Sequence, residues 1–388
     1  MPRPLTIVVG GYIVAYPLGG MTWHHLNYLL GLHELGHEII FLEDSGSYAH
    51  PYNPLTNSVG DDPEYGLEYL KRTFADFGLP IKWCYYSEFL DRYWGLTFEE
   101  LNQTLKRADL MLCVSGVTPI RENRPRARRM MVIDTDPVFT QLRMGRDAGY
   151  LKYFQQFDAI ATFGRLIGTP SCPLPTHGFN WIPTNQPIAL AHWPVVSPGD
   201  GAFTTIGKWE QAGERDVEFN GKKYSSSKSI EWMKLLDLPR QVPWEMQLGQ
   251  LNMPKEIQTQ FAAAGWKLFD PAAASVSCSA YGDFIRHSIG EFTVAKGIYR
   301  GIPTGWFSDR SAAYLASGRP VVTQSTGFEK WLPTGEGLFN FVDLPQAADA
   351  LNTIATDYPR HSAAARAIAE TYFDSRKILP NLLTVAMG

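Results

Sequence analysis

The chain has 388 residues, enough for two ordinary domains, and 45% hydrophobic with 19% charged residues is typical of a globular enzyme. A net charge of −4 argues against a surface that binds nucleic acid or anionic membranes. The four cysteines are widely spaced, which argues against a zinc finger or a disulfide scaffold. No segment resembles a signal peptide or a membrane span, so we expect a reduced, cytoplasmic protein.

The first predicted elements are a strand, a glycine-rich loop, a helix and a second strand. Residues 5–9 are apolar, Gly19 and Gly20 begin an amphipathic helix, and residues 38–42 form the next strand. Glycines at a helix N-terminus let backbone N–H groups and the positive end of the helix dipole approach an anion. The unit therefore predicts a phosphate or diphosphate site. Two histidines of the first helical turns lie beside it: His24 and His25.

A zinc-protease signature, His-Glu-x-x-His, is matched by His33-Glu34-Leu35-Gly36-His37. That chemistry requires both histidines on one face of a helix, with the glutamate acting as base. Gly36 occupies a helix C-cap position and His37 leads directly into a strand, so the sequence favours a helix end. A zinc peptidase built on His33, Glu34 and His37 stays a rival hypothesis.

Strands and helices alternate through the rest of the first half, which indicates a parallel sheet covered on both faces. Residues 44–63 are rich in Gly and Pro and are predicted to form a surface loop. The predicted helices are 64–77 and 98–107, and the predicted strands are 81–85, 110–115, 130–134 and 159–163.

Two aspartates, Asp134 and Asp136, follow one of these strands at its carboxyl end, where parallel sheets bind ligands. Such a pair can chelate a divalent cation that holds a nucleotide diphosphate. It can equally cap a turn before Pro137. We interpret Asp136 as lining a pocket for the acceptor, and we predict no metal.

A proline-rich stretch at 181–201 is predicted to be a linker without regular structure, and the alternation restarts beyond it. The predicted strands there are 203–206, 246–248, 283–285 and 320–323, and the predicted helices are 227–236, 254–264, 291–299, 308–316 and most of 346–385. The resulting domains are 1–180 and 202–365, with 366–388 as a final helix that packs back on the first domain.

The densest motif surrounds the predicted helix at 308–316. Ser308 or Asp309 is predicted to cap its N-terminus. We predict that Arg310, on the loop that begins at Gly305, pairs with phosphate oxygens with help from the helix dipole. Two lysines near the first loop of the same domain are candidates for the same diphosphate: Lys208 and Lys228.

These motifs resemble the GT-B glycosyltransferases, in particular the group-1, family-four-like branch whose first loop ends in Gly-Gly. The matching residues are Gly19-Gly20, His24, Gly36-His37 and, in the second half, Gly305 and Ser317-Gly318-Arg319-Pro320-Val321-Val322. The resemblance implies an α/β fold of GT-B architecture: two Rossmann-like domains with parallel sheets face each other across a cleft, and a C-terminal helix crosses back. It also implies a hexosyltransferase that moves a sugar from a nucleotide-diphosphate donor to a small-molecule or glycan acceptor, without a metal cofactor.

The resemblance assigns the donor to the second domain and the acceptor to the first. The residues expected to hold the donor are Gly19, Gly20, Lys208, Lys228, Glu291, Gly305, Ser308, Asp309 and Arg310. Those expected in catalysis are His24, His25 and Asp136. In this scheme the departing diphosphate is stabilised by Gly20 N–H, the helix dipoles, Arg310 and Lys228, and a histidine contacts the sugar or acts as base.

The family's paired glutamates are missing, because their positions fall at Gly305 and Ala313. The second glutamate holds the donor ribose in the family, so donor recognition must differ here. The acidic residues that can substitute are Glu291, Asp309 and Glu329. Because the pair marks retaining enzymes, the stereochemical outcome stays open. So do two alternatives of the same fold, a nucleotide-sugar epimerase and a non-catalytic protein that binds nucleotide or glycan.

Overall fold

The chain folds into two α/β lobes, which a computed structural model describes for residues 3–46, 51–199, 201–210 and 216–388. The first elements are β1 (Thr6–Gly10), α1 (Gly19–Glu34), β2 (Glu38–Asp44), β3 (Tyr52–Asn53), β4 (Ser58–Val59), α2 (Glu64–Asp76), β5 (Lys82–Ser87), β6 (Arg92–Gly95), α3 (Phe98–Arg107), β7 (Leu110–Val114), β8 (Arg129–Asp134), α4 (Phe139–Met144), α5 (Ala148–Phe154), β9 (Ala159–Thr162) and β10 (Trp181–Pro183).

The later elements build the second lobe and the end of the chain. They are β11 (Phe203–Lys208), β12 (Val217–Phe219), β13 (Lys222–Tyr224), α6 (Ser229–Met233), β14 (Met246–Leu251), α7 (Lys255–Ala263), β15 (Lys267–Leu268), α8 (Ala272–Ser275), α9 (Cys278–His287), β16 (Gly290–Thr293), α10 (Gly297–Gly301), α11 (Asp309–Ala316), β17 (Val321–Gln324), β18 (Leu338–Phe341), α12 (Leu344–Thr356), α13 (Tyr358–Tyr372) and α14 (Ser375–Met387).

The first lobe is built on a sheet with the strand order β10-β9-β8-β7-β1-β2-β5-β6, in which the β5–β6 pair is antiparallel and the others are parallel. Its centre is β1, where Ile7 pairs with Ile39 on one side and Leu110 on the other. Alternate residues of β1 enter different hydrophobic clusters, Ile7 on one face and Val8 on the other. Both faces are therefore covered, which explains why the strands read as continuous apolar runs.

The second lobe is built on a parallel sheet with the order β15-β14-β11-β16-β17-β18. Its central strands β11 and β16 pair through Phe203 and Gly290, both buried. Two parallel sheets with helices between their strands confirm the predicted α/β fold class. The exact domain limits stay predictions. In the part of the chain that the structure describes, no helix is both long and apolar enough to cross a membrane.

Helix α1 is buried on nearly all sides, so the prediction of an amphipathic helix was wrong. Every residue from Thr22 to Leu32 is buried. The indole Nε1 of Trp23 donates a 2.8 Å hydrogen bond to the carbonyl of Cys278, at the start of α9 in the second lobe. A Cβ atom on Gly31 would lie 2.6 Å from a methyl of Leu379 in α14. Helix α1 is thus enclosed by its own sheet, by the second lobe and by α14.

The end of the chain crosses back to the first lobe, as predicted. Ile188 exchanges backbone hydrogen bonds with Phe373 and Ser375, at 2.7 and 3.0 Å, where the chain leaves α13. At the far end of α14, Arg129 Nε donates a 2.9 Å hydrogen bond to the carbonyl of Ala386. The two passages of the chain between the lobes therefore run side by side.

Three predicted elements of the second lobe and linker were wrong. Residues 283–285 belong to α9, whose buried residues Cys278, Tyr281 and Ile285 recur at helical spacing. Residues 291–299 contain β16 and α10 instead of one helix, because the sheet places β16 between β11 and β17. The linker at 181–201 contains a strand, β10, and its residue 200 lies outside the described residues.

Two further segments differ in detail. The predicted helix at 227–236 is shorter, since α6 covers only Ser229–Met233. The predicted surface loop at 44–63 includes a short antiparallel pair, β3 with β4, in which Tyr52 faces Val59. Residues 47–50 of this loop lie outside the described residues.

Candidate functional site

A cleft of about 460 Å³ lies between the lobes, where the N-terminus of α1 faces the carboxyl ends of β11 and β14. The carboxyl ends of parallel strands are where α/β sheets bind ligands. The first lobe contributes Leu18, Gly20 and Met21 to its walls. The charged residues that the second lobe contributes are Lys208, Lys228, Lys296, Asp309 and Arg310. The cleft thus brings together most of the residues predicted for the donor.

Gly19 and Gly20 are required by the close approach of α1 to α9. A Cβ atom on Gly19 would lie 2.2 Å from the carbonyl oxygen of Ser277, and one on Gly20 would lie 2.9 Å from the ring of Tyr281. Any side chain at these positions would force the two lobes apart. Gly20 also lines the cleft. The glycine pair therefore allows the two lobes to pack closely and also leaves the N-terminus of α1 accessible from the cleft.

The cleft is electropositive. Its charged lining consists of four cations, Lys208, Lys228, Lys296 and Arg310, against the single carboxylate of Asp309. Burial and the neighbouring Arg310 guanidinium lower the pKa of Lys228 to about 7. A bound anion would offset the repulsion between Lys228 and Arg310 and so favour the protonated form of Lys228. Cations beside a helix N-terminus form an environment suited to a diphosphate.

Arg310 is the second residue of α11, so the prediction that it lies on a loop was wrong. Its Nε donates a 2.5 Å hydrogen bond to Glu291 Oε1, its Nη1 a 2.8 Å bond to the carbonyl of Ile206, and its Nη2 a 2.9 Å bond to Thr293 Oγ1. Glu291 is fully buried in β16. These bonds occupy three of the five guanidinium N–H groups. Phosphate binding by Arg310 stays a prediction, and Glu291 holds Arg310 in place.

His24 links the two lobes. Its Nε2 lies 3.1 Å from Ser115 Oγ, and its Nδ1 lies 3.4 Å from Asp309 Oδ2. His25 instead points into the interior, where its Nε2 accepts a 3.4 Å hydrogen bond from the N–H of Tyr12. Burial, followed by the proximity of His24, lowers the pKa of His25 well below its usual value. The structure brings His24 to the junction of the lobes and leaves His25 inside the first lobe.

A second cavity of about 380 Å³ opens at the carboxyl ends of β7 and β8. Its walls include Asp136, as predicted from the sequence, together with Ser115, Tyr150 and Tyr153. The Asp136 carboxylate accepts a hydrogen bond from the hydroxyl of Tyr299 in α10, so this wall also joins the two lobes. A catalytic role for Asp136 stays a prediction.

The other aspartate of the pair, Asp134, belongs to the framework. It is buried at the end of β8 and accepts hydrogen bonds from Thr140 Oγ1 at 2.7 Å, Gln141 Nε2 at 2.9 Å and Thr162 Oγ1 at 2.9 Å. Burial raises the pKa of Asp134, against the effect of these hydrogen bonds. Its oxygens are engaged within the first lobe, where they fix the turn that presents Asp136.

The remaining predicted donor residues lie outside the lining of the cleft. Gly305 has a φ of 74° and contacts the first lobe, since a Cβ atom there would lie 2.9 Å from Leu166 Cγ. Ser308 is the N-cap residue of α11. Glu329 accepts a 2.6 Å hydrogen bond from the hydroxyl of Ser325. Of the acidic residues considered as substitutes for the missing glutamates, the cleft contains Asp309.

The residues of the His-Glu-x-x-His motif are not arranged to bind a metal ion. Helix α1 ends at Glu34, and His37 lies beyond it, where its Nδ1 accepts a 3.1 Å hydrogen bond from the N–H of Leu5. The carboxylate of Glu34 lies 3.6 Å from the ring of His192. Within the described residues, no group of three His, Cys, Asp or Glu side chains is arranged to hold a metal ion.

Two residues of the site were missed by sequence reasoning. Lys296 adds a fourth cation to the cleft, and its Nζ lies 4.9 Å from the ring centre of Phe139 in the first lobe. Its position three residues after the end of β16 was hidden because that strand was predicted as part of a helix. Ser115 follows β7 at the carboxyl edge of the sheet, and this strand-end position was the available signal.

Comparisons with known proteins support the fold. No protein-family model and no curated protein sequence matches the chain. Among solved structures, AviGT4, a glycosyltransferase involved in avilamycin A biosynthesis, is 14% identical with a TM-score of 0.56 over 98% of this chain and 96% of its own. Sucrose-phosphate synthase from Thermosynechococcus elongatus is 11% identical with a TM-score of 0.55 over 99% and 98%.

A third similar structure is Anabaena HepE in complex with UDP and glucose. It is 13% identical, with a TM-score of 0.57 over 98% of this chain and 99% of its own. The likeness to all three extends over both lobes and nearly the full length of each chain. It confirms the GT-B fold, with two Rossmann-like lobes facing each other across a cleft.

Proposed function

We propose that this chain is a glycosyltransferase that moves a sugar from a nucleotide-diphosphate donor to an acceptor hydroxyl. The observation that carries the proposal is the electropositive cleft between the lobes of a GT-B fold. There Lys208, Lys228, Lys296 and Arg310 line the same cleft as the N-terminus of α1. The similar structures are glycosyltransferases or a synthase of a sugar phosphate, and HepE was solved with UDP and glucose. UDP is therefore the first nucleotide to test.

In the proposed reaction the second lobe, residues 202–365, binds the donor, and the first lobe, residues 1–180, binds the acceptor. The four cations and the N–H groups at the start of α1 stabilise the charge that develops on the departing diphosphate. Such an array performs the task that a divalent cation performs in metal-dependent transferases, so we propose transfer without a metal cofactor. Domain closure on the segment 181–201 excludes water from the donor.

The acceptor enters the second cavity, beside Asp136 and Ser115. His24, which lies between this cavity and the cleft, serves as the base toward the acceptor hydroxyl, a role that suits an imidazole at neutral pH. The proposed acceptor is a small molecule or a glycan. All four cysteines are buried and none forms a disulfide, which supports a reducing, cytoplasmic location.

The test is thermal stabilisation of the purified protein by UDP, GDP, dTDP and ADP, with and without EDTA. A ligand at a hundred times its dissociation constant adds about 2.7 kcal/mol to the free energy of unfolding. We expect one nucleotide to stabilise the protein equally in both conditions, and Lys228→Met to weaken that effect. Lys255→Met changes an exposed lysine outside the cleft and is the matched control.

Four outcomes would contradict the proposal. No stabilisation by any nucleotide would remove the donor site, and stabilisation that EDTA abolishes would make the site metal-dependent. Isomerised sugar nucleotide appearing without an acceptor would identify an epimerase. If the protein binds the nucleotide tightly but forms no UDP from UDP-glucose, with or without a panel of acceptors, it is a binding protein of the same fold.

A further inference from the structure

A hydroxyl, an imidazole and a carboxylate form a line from the second cavity to the cleft. Ser115 Oγ lies 3.1 Å from His24 Nε2, and His24 Nδ1 lies 3.4 Å from Asp309 Oδ2. This order of groups activates serine for covalent catalysis, since the imidazole removes the hydroxyl proton and the carboxylate orients and stabilises the resulting imidazolium. The carboxylate comes from the second lobe, so the line is complete only when the lobes are together.

The backbone at Ser115 supports a chemical role. Its φ of 64° lies in the left-handed region, which costs free energy for a residue with a side chain and concentrates at functional sites. A serine on such a turn directly after a parallel strand lies at the carboxyl edge of the sheet, where ligands bind. A 2.8 Å contact with Thr135 Oγ1 holds the hydroxyl in place.

The cavity beside Ser115 has aromatic walls. The rings of Tyr150 and Tyr153 line it at an interplanar angle of 17°, together with Phe139. The guanidinium carbon of Arg143 lies 4.0 Å from the ring centre of Tyr150, which fixes the orientation of that ring. Aromatic walls of this kind bind planar rings by stacking and edge contacts.

We propose that Ser115, His24 and Asp309 form a nucleophilic site that hydrolyses aryl esters, a second activity that shares His24 with the proposed sugar transfer and needs no nucleotide. Ser115 Oγ bonds to the acyl carbon while its proton passes to His24 Nε2, the ester C–O bond breaks, and the phenol leaves with that proton. Water then attacks the acyl carbon and gives a proton to His24. The bond between Oγ and the acyl carbon breaks, and the proton returns to Ser115.

The test combines a substrate with a covalent probe. Wild-type protein is expected to hydrolyse p-nitrophenyl acetate and to be labelled by phenylmethylsulfonyl fluoride on the tryptic peptide that contains Ser115, as read by mass spectrometry. Ser115→Ala and His24→Ala are each expected to lose at least a hundredfold in catalysed rate and to lose the label. Asp309→Asn is expected to lose at least tenfold, because the imidazolium is no longer stabilised.

A matched control separates the site from background reactivity. Ser171→Ala removes an exposed serine outside both cavities and is expected to leave rate and label unchanged. Melting temperatures of all variants show that each is folded. Hydrolysis that survives Ser115→Ala in a folded protein, or labelling that falls elsewhere than Ser115, would overturn the proposal. Neither result depends on whether the protein binds a nucleotide.

Discussion

Each lobe uses one buried glutamate to hold the segment that faces the cleft, but the two glutamates have different partners. Glu43 is 1% exposed and accepts three hydrogen bonds of 2.7 Å from the backbone N–H groups of residues 13–15, in the loop before α1. Glu291 is fully buried and accepts from the guanidinium of Arg310 at the start of α11. The carboxylate of Glu43 is thus stabilised by backbone dipoles, and that of Glu291 by an opposite charge.

The difference decides how each lobe responds to pH. Burial raises the pKa of Glu43 to about 7, although the three N–H groups act in the opposite direction. Burial lowers the pKa of Arg310, but the charge of Glu291 outweighs it and raises that pKa above its usual value. The loop before α1 is therefore sensitive to protons near neutral pH. The Glu291–Arg310 pair is sensitive to the loss of either partner.

The largest effect is expected from Arg310→Met, which leaves the carboxylate of Glu291 buried without its cation. Breaking a buried pair in this way costs about 3–5 kcal/mol of unfolding free energy. Urea unfolding followed by circular dichroism measures it. The double variant Glu291→Gln with Arg310→Met is expected to recover part of the loss. A loss below about 1 kcal/mol in the single variant would show that the pair is not stabilising.

Glu43→Ala is expected to destabilise the protein by about 3 kcal/mol, because it leaves buried N–H groups of residues 13–15 without an acceptor. The same unfolding experiment measures it. Glu38→Ala is the control, since Glu38 forms a half-exposed ion pair with Arg107, and its loss is expected to cost less than about 1 kcal/mol. Equal effects of the two changes would mean that the loop before α1 does not depend on Glu43.

The pH dependence of Glu43 gives a smaller effect per pH unit, with a definite sign. Because the pKa of Glu43 is raised in the folded state, the folded protein binds more protons than the unfolded chain between pH 4.5 and 7. Glu43 therefore contributes stability that is present below pH 4.5 and is lost as the pH rises to 7, by at most about 1.4 kcal/mol per pH unit. Unfolding at five pH values should show this slope in wild type and a flatter one in Glu43→Gln.

The smallest effect concerns nucleotide binding by the second lobe, where we expect the protonation of Lys228 to make the affinity depend on pH. Since the pKa of Lys228 is about 7, UDP affinity should fall between pH 6 and 8.5 in wild type. Lys228→Met should bind about tenfold more weakly at pH 6 and nearly equally at pH 8.5, a difference of about 1.4 kcal/mol. Calorimetry at both pH values measures it, and a constant ratio would assign the pH response to another group.

The sequence predicted much of the fold, because the parallel strands are buried on both faces and read as apolar runs. The cleft was implied by the resemblance to the GT-B glycosyltransferases, and Gly20 was singled out because a helix N-terminus attracts anions. Lys208 was named because it lies near the first loop of the second domain. What could not be predicted depends on tertiary position. The strand containing Glu291 reads as a helix until the sheet places it beside β11 and β17.

Two features of the site depend on contacts between residues that lie far apart in the sequence. The line from Ser115 to Asp309 joins residues nearly two hundred positions apart, and only the packing of the lobes brings His24 between them. The requirement for glycine at Gly19 comes from the carbonyl of Ser277, which a pattern of residues along one helix does not reveal. The sequence analysis singled out Gly19, His24 and Asp309 and missed Ser115, and the structure shows the contacts that involve these residues.

The return of α14 to the first lobe has a consequence for synthesis. Helix α1 packs against Leu379, yet the ribosome completes the whole second lobe before it makes that residue. The first sheet can form early, but one side of α1, at Gly31, waits for its partner. Folding of the first lobe is therefore completed last, although its strands emerge first. A nascent chain stalled after α13 would present the uncovered side of α1 to chaperones, which makes this helix the point at which folding of the two lobes is coupled.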